Sequence, residues 1–297
     1  MLNFKPAQLS DKDWVNECLS HANSMNCEYT FGNMYIWTEA YNTMIAKHEN
    51  FLFCRWGNGD DITYSVPLGE GDFTQAVQMI IDDAKSLGIT PRIYGITEGY
   101  RLMLQEAFTG KFTYHFDEGF NDYIYLVSKM TSLSGKKYHG KRNHITNFKK
   151  NHPDWTFEKI SGDNIGECIA MHMHWIEEKG EADEDYVEEL NAVLKAFESY
   201  DALGWKGGLI RTNGEVVAYC MGEGQQNGRC FVTHFEKASA DIQGAFPIIN
   251  QEFTKNCLQD YTYVNREEDL GLEGLRKAKQ SYYPEIFLEK SLAVYND

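Results

Sequence analysis

The first half of the chain alternates between apolar patterns of helical period and of strand period. Residues 10–23 begin with a Ser-Asp cap and place apolar side chains three and four positions apart, which predicts a helix. Two apolar runs flank Gly57-Asn58-Gly59-Asp60, which predicts a turn between strands. The complete pattern predicts helices at residues 10–23, 30–46, 73–87 and 98–108, and strands at residues 50–56, 62–66, 92–96 and 123–127.

The second half is dominated by three apolar runs that are separated by two Asn-Gly pairs. Asn213-Gly214 and Asn227-Gly228 predict two successive hairpins, because both residues of this pair accept the backbone angles of a tight turn. The pattern predicts strands at residues 155–160, 207–211, 215–223, 229–236, 261–266 and 286–294, and helices at residues 163–179, 186–203, 243–257 and 274–282.

These elements predict an α/β (α+β) protein with two similar domains. We expect an N-terminal domain at residues 1–130, a basic linker helix at 131–153 and a C-terminal domain at 154–297. The order in the second half resembles the GNAT acyltransferase fold, and the first half has a looser version of it. The expected architecture is therefore tandem GNAT-like domains, each a mixed, mostly antiparallel sheet flanked by helices.

Composition and charge restrict the partners that the chain can have. The 297 residues are 42% hydrophobic and carry a formal net charge of -16, which indicates packed cores and disfavours indiscriminate binding to nucleic acid or anionic membrane. The linker departs from this balance, because Lys136, Lys137, Lys141, Arg142, Lys149 and Lys150 have no acid among them. A local anionic partner is therefore expected at this segment.

The cysteine pattern and the apolar runs indicate a cytoplasmic protein. The seven cysteines are widely spaced, odd in number and without a C-x-x-C pair, so reduced thiols are expected rather than disulfides or a zinc ribbon. The first residues lack a secretory signal, and no window approaches the ~20 apolar residues that span a bilayer. A lipid substrate would therefore be met peripherally, at the surface of the membrane.

Two segments carry a family resemblance. Asn265-Arg266-Glu267-Glu268-Asp269-Leu270-Gly271-Leu272-Glu273-Gly274-Leu275-Arg276-Lys277-Ala278-Lys279 and Lys141-Arg142-Asn143-His144-Ile145-Thr146-Asn147-Phe148 resemble the phosphatidylglycerol lysyltransferase C-terminal-domain family. The resemblance implies transfer of an aminoacyl group from a charged tRNA to an amine or hydroxyl of a lipid or peptidoglycan precursor. The chain lacks most of the phosphate-binding loop of acetyl-CoA users, because only Gln243-Gly244-Ala245 resembles that loop.

Acidic residues and one histidine lie on, or directly after, the two strands that separate in a GNAT-like fold. His234 and Glu236 are two positions apart and are predicted to share one strand face, where His234 could act as a base. Glu267 and Asp269 follow the next strand and could deprotonate the acceptor or bind a cationic amine. A hydrogen-bonded histidine and a solvated acidic turn are the alternatives, and the family resemblance favours function for Glu267 and Asp269.

Basic and polar residues on both motifs are candidates for substrate binding. Arg276 and Lys279 are three apart on a predicted helix and could hold phosphate or a tRNA terminus, unless they form an ordinary surface helix. The full set of candidates is Asn265, Arg266, Arg276, Lys277, Lys279, Lys137, Tyr138, His139, Lys141, Arg142, Asn143 and Gln243. Within it, Tyr138 and His139 could stack on a base. No metal site is predicted, because His172 and His174 point apart on a helix.

The sequence therefore predicts an acyl or aminoacyl transferase, with aminoacyl-tRNA or a coenzyme A thioester as donor. Two other functions stay open. One is a coenzyme A-dependent N-acetyltransferase, and the other is a non-catalytic module that binds tRNA or a lipid headgroup.

Overall fold

The computed structural model describes residues 2–22, 24–179 and 184–296, so residue 23, at the end of the first predicted helix, lies outside it. The strands are β1 Lys5–Pro6, β2 Met44–His48, β3 Phe51–Trp56, β4 Thr63–Ser65, β5 Leu68–Gly69, β6 Arg92–Ile96, β7 Phe112–Phe116, β8 Asp122–Leu126, β9 Thr156–Lys159, β10 Lys206–Thr212, β11 Glu215–Gly224, β12 Cys230–Ala238, β13 Tyr263–Asn265, β14 Ile286–Leu288 and β15 Ser291–Tyr295. The α-helices are α1 Lys12–Ser20, α2 Phe31–Ile36, α3 Phe73–Ser86, α4 Glu98–Ala107, α5 Val127–Ser132, α6 His139–Asn151, α7 Ile165–Lys179, α8 Glu184–Glu198, α9 Tyr200–Leu203, α10 Ala245–Cys257 and α11 Glu273–Gln280.

The strands form two mixed sheets. The first has the order β1-β2-β3-β4-β6-β15-β7, with β5 paired to β3, and the second has the order β14-β8-β13-β12-β11-β10-β9. The pairs β4–β6 and β12–β13 are parallel, and the other pairs are antiparallel. The predicted α/β class with two mostly antiparallel sheets is confirmed.

Two strands cross the predicted domain division. β8 precedes residue 130 but pairs with β13 and β14 of the second sheet. β15, near the C-terminus, lies between β6 and β7 of the first sheet. The run at 286–294 that predicts one strand is therefore two strands, β14 and β15, in different sheets. The two sheets do not coincide with the predicted division at residues 130 and 154, because β8 and β15 each pair in the sheet of the other half. The domain bounds themselves stay a prediction.

The turn chemistry of the second half agrees with the pairing. Asn213 and Gly214 both have positive φ, and β10 pairs with β11 across them. β11 and β12 also pair as a hairpin, with a wider loop that contains Gly228. The prediction was wrong at residues 30–46, because α2 ends at Ile36 and Met44–His48 pairs with β3 as a strand.

Both sheets contribute to one large apolar core. Leu52 and Ile93 of the first sheet belong to the same buried cluster as Tyr219 and Phe235 of the second sheet. A second cluster covers the opposite face of the second sheet, beneath α6 and α10. Across the ranges given above, none of the helices is both long enough and apolar enough to cross a membrane.

Candidate active site

Strands β12 and β13 run parallel at the centre of the second sheet and then separate. They pair over a short stretch, from Cys230 opposite Tyr263 to Val232 opposite Asn265. β13 ends at Asn265, whereas β12 continues to Ala238. The later residues of β12 and the chain that leaves β13 therefore face a gap between the strands, where the sequence predicts the site.

A β-bulge in β12 lies at His234. Phe235 is opposite Met221 of β11 and Thr233 is opposite the next residue, so His234 has no partner across the ladder. An extra residue interrupts the alternation of side chains. The two-residue spacing that predicts a shared face for His234 and Glu236 therefore does not decide where they point, and their contacts differ.

His234 bridges two carboxylates. Its Nδ1 donates to Oε1 of Glu267 at 2.8 Å, and its Nε2 donates to Oε1 of Glu223 at 3.1 Å when the ring is protonated. The ring stacks on Trp205 with the ring centres 4.9 Å apart, and only 2% of the side chain is exposed. Glu223, on the neighbouring strand β11, has no sequence signal that marks it as a partner.

This bridge determines the charge of His234. Burial opposes protonation, but the hydrogen bonds to Glu223 and Glu267 outweigh it and raise the pKa of His234 from 6.5 to about 9. The ring is therefore an imidazolium at neutral pH and has no free nitrogen with which to accept a proton. The geometry gives His234 the role of holding Glu267, and does not support the prediction that it acts as a base.

Glu236 lies on the other side of the gap, beside the second core. Its Oε1 accepts hydrogen bonds from Arg266 Nη2 and from Asn250 Nδ2, both at 2.8 Å. Arg266 is the first residue after β13, so this ion pair crosses the gap between the two strands. The predicted catalytic residue Glu236 and the predicted binding residue Arg266 are thus in direct contact.

The turn after β13 has an unusual backbone. Glu267 and Leu270 have φ values of 58° and 53°, a region that non-glycine residues seldom adopt. The Asn265 side chain stabilises the turn, because its Oδ1 accepts from the Glu267 amide at 2.7 Å and its Nδ2 donates to Asp122 at 2.7 Å. The side chain of Glu267 is 27% exposed, more than its partners His234 and Glu223.

Asp269 closes this turn instead of facing the gap as a free acid. It is fully buried, and its carboxylate accepts from Arg276 Nε at 2.7 Å, from the Tyr123 hydroxyl at 2.6 Å and from the Gly271 amide at 2.9 Å. Burial would raise its pKa, but these hydrogen bonds outweigh it and lower the pKa to about 2. Asp269 and Arg276, predicted as a base and a phosphate ligand, are therefore each other's partners.

The lysines of α11 have different positions. Lys279 is buried, and its Nζ donates to the backbone carbonyls of Arg266, at 2.6 Å, and of Glu268. Burial, together with the charge of Arg266, lowers the pKa of Lys279 to about 8. Lys277 is exposed and pairs with Glu273 one helical turn earlier at 2.5 Å. Lys279 thus binds the backbone of the turn, whereas Lys277 is exposed to solvent.

A buried cluster that the sequence does not reveal adjoins this turn. Lys290, between β14 and β15, is fully buried and contacts Asp122 at 2.9 Å, Glu28 at 3.7 Å and Glu268. Burial opposes its charge, but Asp122 and the other acids hold the pKa of Lys290 well above its ordinary value. Burial raises the pKa of Glu268 to about 8. Lys290, directly before β15 of the first sheet, therefore links Glu268 of this turn to Asp122 of β8 in the second sheet.

Within the part of the chain that the structure describes, one group of side chains has the spacing of metal ligands. Cys27, Asp122 and Glu268 each offer an atom, and these atoms lie within 4.8 Å of one another. The Lys290 ammonium contacts all three, including Cys27 Sγ at 3.7 Å, so it already supplies the positive charge there. Burial also raises the pKa of the Cys27 thiol well above its usual value, which disfavours the thiolate that metals prefer.

The basic segment is divided between core and surface. Tyr138 is buried and its hydroxyl donates to the Tyr282 carbonyl at 3.1 Å, a position that does not match stacking on a base. Arg142 donates to the carbonyls of Leu133 and Gly135, which fixes the start of α6. Lys137, His139 and Asn143 are exposed. The last two are hydrogen-bonded to each other at 3.1 Å across one helical turn.

The loop before α10 is closed against α6. Gln243 is exposed, and the following Gly244 forms the N-cap of α10 with a φ of 92°. A Cβ at Gly244 would lie 2.7 Å from the carbonyl oxygen of His144, so α6 packs directly on this helix start. Only glycine fits both the angle and the contact.

Comparison of the whole chain with solved structures gives the class. A tandem GNAT protein from the clavulanic acid biosynthesis pathway aligns with a TM-score of 0.51 and 8% identity, over 99% of this chain and 98% of that one. This similarity, together with the separated strands, confirms a tandem GNAT-like fold. A conserved protein of unknown function from Bacteroides thetaiotaomicron is more similar, with a TM-score of 0.95, 35% identity and complete coverage of both chains.

The chain belongs to the family described as phosphatidylglycerol lysyltransferase, C-terminal, whose model matches residues 20–294. The resemblance of the two sequence motifs is thereby confirmed. A curated relative, the uncharacterized protein MYCGA3080 of Mycoplasmoides gallisepticum, is 23% identical over 182 residues. That match covers 59% of this chain and 56% of the relative. The chain therefore matches little more than half of the length of this relative.

Proposed function

We propose that this protein is an aminoacyltransferase that moves an aminoacyl group from aminoacyl-tRNA to an amine or hydroxyl acceptor, such as a lipid headgroup or a cell-wall precursor. The observation that carries the proposal is the gap between β12 and β13. In this gap a partly exposed carboxylate, Glu267, is fixed by the imidazolium of His234 at 2.8 Å. Family membership and the tandem GNAT-like fold support transfer of an acyl group as the reaction.

Glu267 is the residue that we assign to the chemistry. The acceptor oxygen or nitrogen attacks the carbonyl carbon of the aminoacyl ester, and its proton passes to the Glu267 carboxylate. The ester bond to the tRNA then breaks, and the proton passes to the leaving oxygen of the ribose. His234 is a positioning residue in this scheme, because its hydrogen bond orients the carboxylate without taking up the proton.

Surface charge supports tRNA as the donor. Lys136, Lys137 and Lys150 are exposed on the basic segment of an otherwise acidic protein, where they can contact a phosphate backbone. Coenzyme A is less well supported, because the start of α10 is packed against the His144 carbonyl and is not an open loop for a pyrophosphate.

Two further features support a cytoplasmic enzyme that meets lipid peripherally. All seven cysteines are buried and unpaired, which suits a reducing compartment that also contains aminoacyl-tRNA. Leu270 and Leu272, in the turn beside Glu267, are each 59% exposed and could touch the surface of a membrane.

The test is transfer from a pool of charged tRNA to lipid and amine acceptors, with a panel of coenzyme A thioesters in parallel. We expect transfer from tRNA, and a loss of at least about 100-fold in rate for Glu267→Gln, since its carboxylate carries the proton. Glu273→Gln is the matched control, because Glu273 is 79% exposed and pairs with Lys277 on the surface of the helix. Its rate should equal that of the unmodified protein.

The alternatives give different results in the same experiment. Transfer from coenzyme A thioesters alone would select an N-acetyltransferase. Absence of transfer from every donor, with tRNA or lipid binding that survives Glu267→Gln combined with Asp269→Asn, would select a non-catalytic binding module.

A further inference from the structure

Two buried hydrogen-bond donors near the gap have no partner among the residues that the structure describes. Arg266 uses its Nη2 to bind Glu236, but its Nη1 is buried without a partner, and so is the hydroxyl of Tyr282. Tyr282 is only 4% exposed, so its hydroxyl has little access to bulk solvent. Folded proteins seldom leave such a buried donor unsatisfied without reason.

These two donors belong to side chains that are in contact. The guanidinium carbon of Arg266 lies 5.1 Å from the centre of the Tyr282 ring. Tyr125 packs edge to face with Tyr282, at 6.4 Å between ring centres, and its own hydroxyl is already bound to the Lys279 carbonyl. The donors therefore lie in an aromatic environment where charges interact more strongly than in water.

The same place has an excess of positive charge. Nζ of Lys141, on α6, lies 3.9 Å from the centre of the Tyr282 ring, and the buried Lys279 is nearby. Burial, together with the charge of Arg266, lowers the pKa of Lys141 to about 8. Glu236 is the carboxylate that acts on both Lys141 and Arg266. Lys141 and Arg266 therefore share one carboxylate, that of Glu236, and a further negative charge would complete the group.

The arrangement of the donors favours one class of anion. Arg266 Nη2 already binds Glu236, so the free Nη1 of Arg266, the Tyr282 hydroxyl and the Lys141 ammonium are donors on three different side chains. Separate single contacts from a guanidinium, a phenol and an ammonium suit an anion with three or more oxygens. We propose that Arg266, Tyr282 and Lys141 bind a phosphate ester group of a substrate at the edge of the gap. This rests on the proposed function only in that the phosphate belongs to the donor or to the acceptor.

The first test is calorimetric titration of the intact protein with inorganic phosphate at pH 7, without any turnover. We expect saturable binding, and a dissociation constant about tenfold weaker for Tyr282→Phe, which loses one hydrogen bond to a charged group. Tyr114→Phe is the matched control, because the Tyr114 hydroxyl is also buried without a partner but lies on β7 of the first sheet. It should bind phosphate like the unmodified protein.

A second pair of variants tests the charge. Lys141→Gln should weaken phosphate binding by at least about tenfold, whereas Lys255→Gln, an exposed residue of α10 that pairs with Glu252, should change it less than twofold. Failure of the unmodified protein to bind phosphate, or equal binding by Tyr282→Phe and the unmodified protein, would overturn the proposal. Tyr282→Phe removes an unpaired hydroxyl, so its thermal stability should not fall, and this checks that the variant folds.

Competition then identifies the source of the phosphate. Displacement of bound phosphate by glycerol 1-phosphate would assign the site to a lipid headgroup, and displacement by the trinucleotide CCA would assign it to the tRNA terminus. Displacement by neither would contradict the assignment to a substrate. Because binding is measured without turnover, a negative transfer assay leaves these titrations interpretable, and a negative titration leaves the transfer assay interpretable.

Discussion

The bridge formed by His234 predicts an unusual dependence of stability on pH. In the folded protein its pKa is about 9, whereas its ordinary value is 6.5. The folded state therefore keeps a proton that the unfolded chain loses between pH 6.5 and pH 9. By linkage, the stabilisation that comes from this proton is complete below pH 6.5 and is lost as the pH rises through 9.

The size of the effect follows from the shift. The two pKa values differ by 2.5 units, and one unit corresponds to about 1.4 kcal/mol, so up to about 3 kcal/mol depends on the proton. His234→Gln removes the titration and keeps one hydrogen-bond donor. The difference in the free energy of unfolding between the unmodified protein and this variant should therefore be about 3 kcal/mol larger at pH 6 than at pH 9.5.

The assay is urea unfolding followed by tryptophan fluorescence at pH 4.5, 6, 7.5 and 9.5. Comparing the variant with the unmodified protein cancels the titration of most other groups. His172→Gln is a control of opposite sign, because burial, with the charge of Lys237, lowers the pKa of His172 to about 4. Its stabilisation is present above pH 6.5 and is lost as the pH falls through 4. A pH-independent difference for His234→Gln would refute the bridging imidazolium.

Three further changes test the supports of the site by urea unfolding. Arg276→Met should destabilise the protein by about 2–4 kcal/mol, because it leaves the buried Asp269 carboxylate without its cation, and a loss below about 1 kcal/mol would contradict the pair. Lys290→Met should cost about 3–5 kcal/mol at pH 7, and an unchanged midpoint would show that the surrounding acids do not need its charge. Gly244→Ala should destabilise by about 1–3 kcal/mol more than Gly135→Ala, since both have φ above 90° but only Gly244 is crowded. Equal losses would mean that α6 yields to the added methyl group.

The second half of the fold could be predicted from the sequence because its signals are local. The two Asn-Gly pairs each lie between apolar runs, and the resulting β10–β11–β12 meander is present. The parallel position of β13 also agrees with the expected place of the separated strands. Residues close in sequence decide all of these features except the last, which followed from the resemblance.

Long-range pairing could not be predicted in the same way. β8 and β15 have the composition of ordinary strands, and nothing local assigns one to the second sheet and the other to the first. The same holds for Lys290, whose partners Glu28, Asp122 and Glu268 are scattered along the chain. A lone lysine at the end of an apolar run is normally exposed, so only the fold reveals this one as buried.

The contacts between the candidate site residues could be predicted only in part. His234 contacts Glu267, whereas Glu236 contacts Arg266 on the other side of the gap. The bulge at His234 is invisible to a pattern of period two, and so the partner Glu223 was missed. Asp269 and Arg276 carry the charges that a site would use, but the turn and the first residues of α11 that lie between them bring them together as a closed pair.

The exchange of β8 and β15 has a consequence for how the chain acquires its structure. β7 joins the first sheet only through β15, and β8 joins the rest of the second sheet only through β13. During synthesis, β15 therefore leaves the ribosome only after every strand of the second sheet, and until then the segment of residues 1–130 cannot complete the first sheet. Expression of the two halves as separate chains should give pieces that become folded only when they are mixed, each supplying the strand that the other lacks.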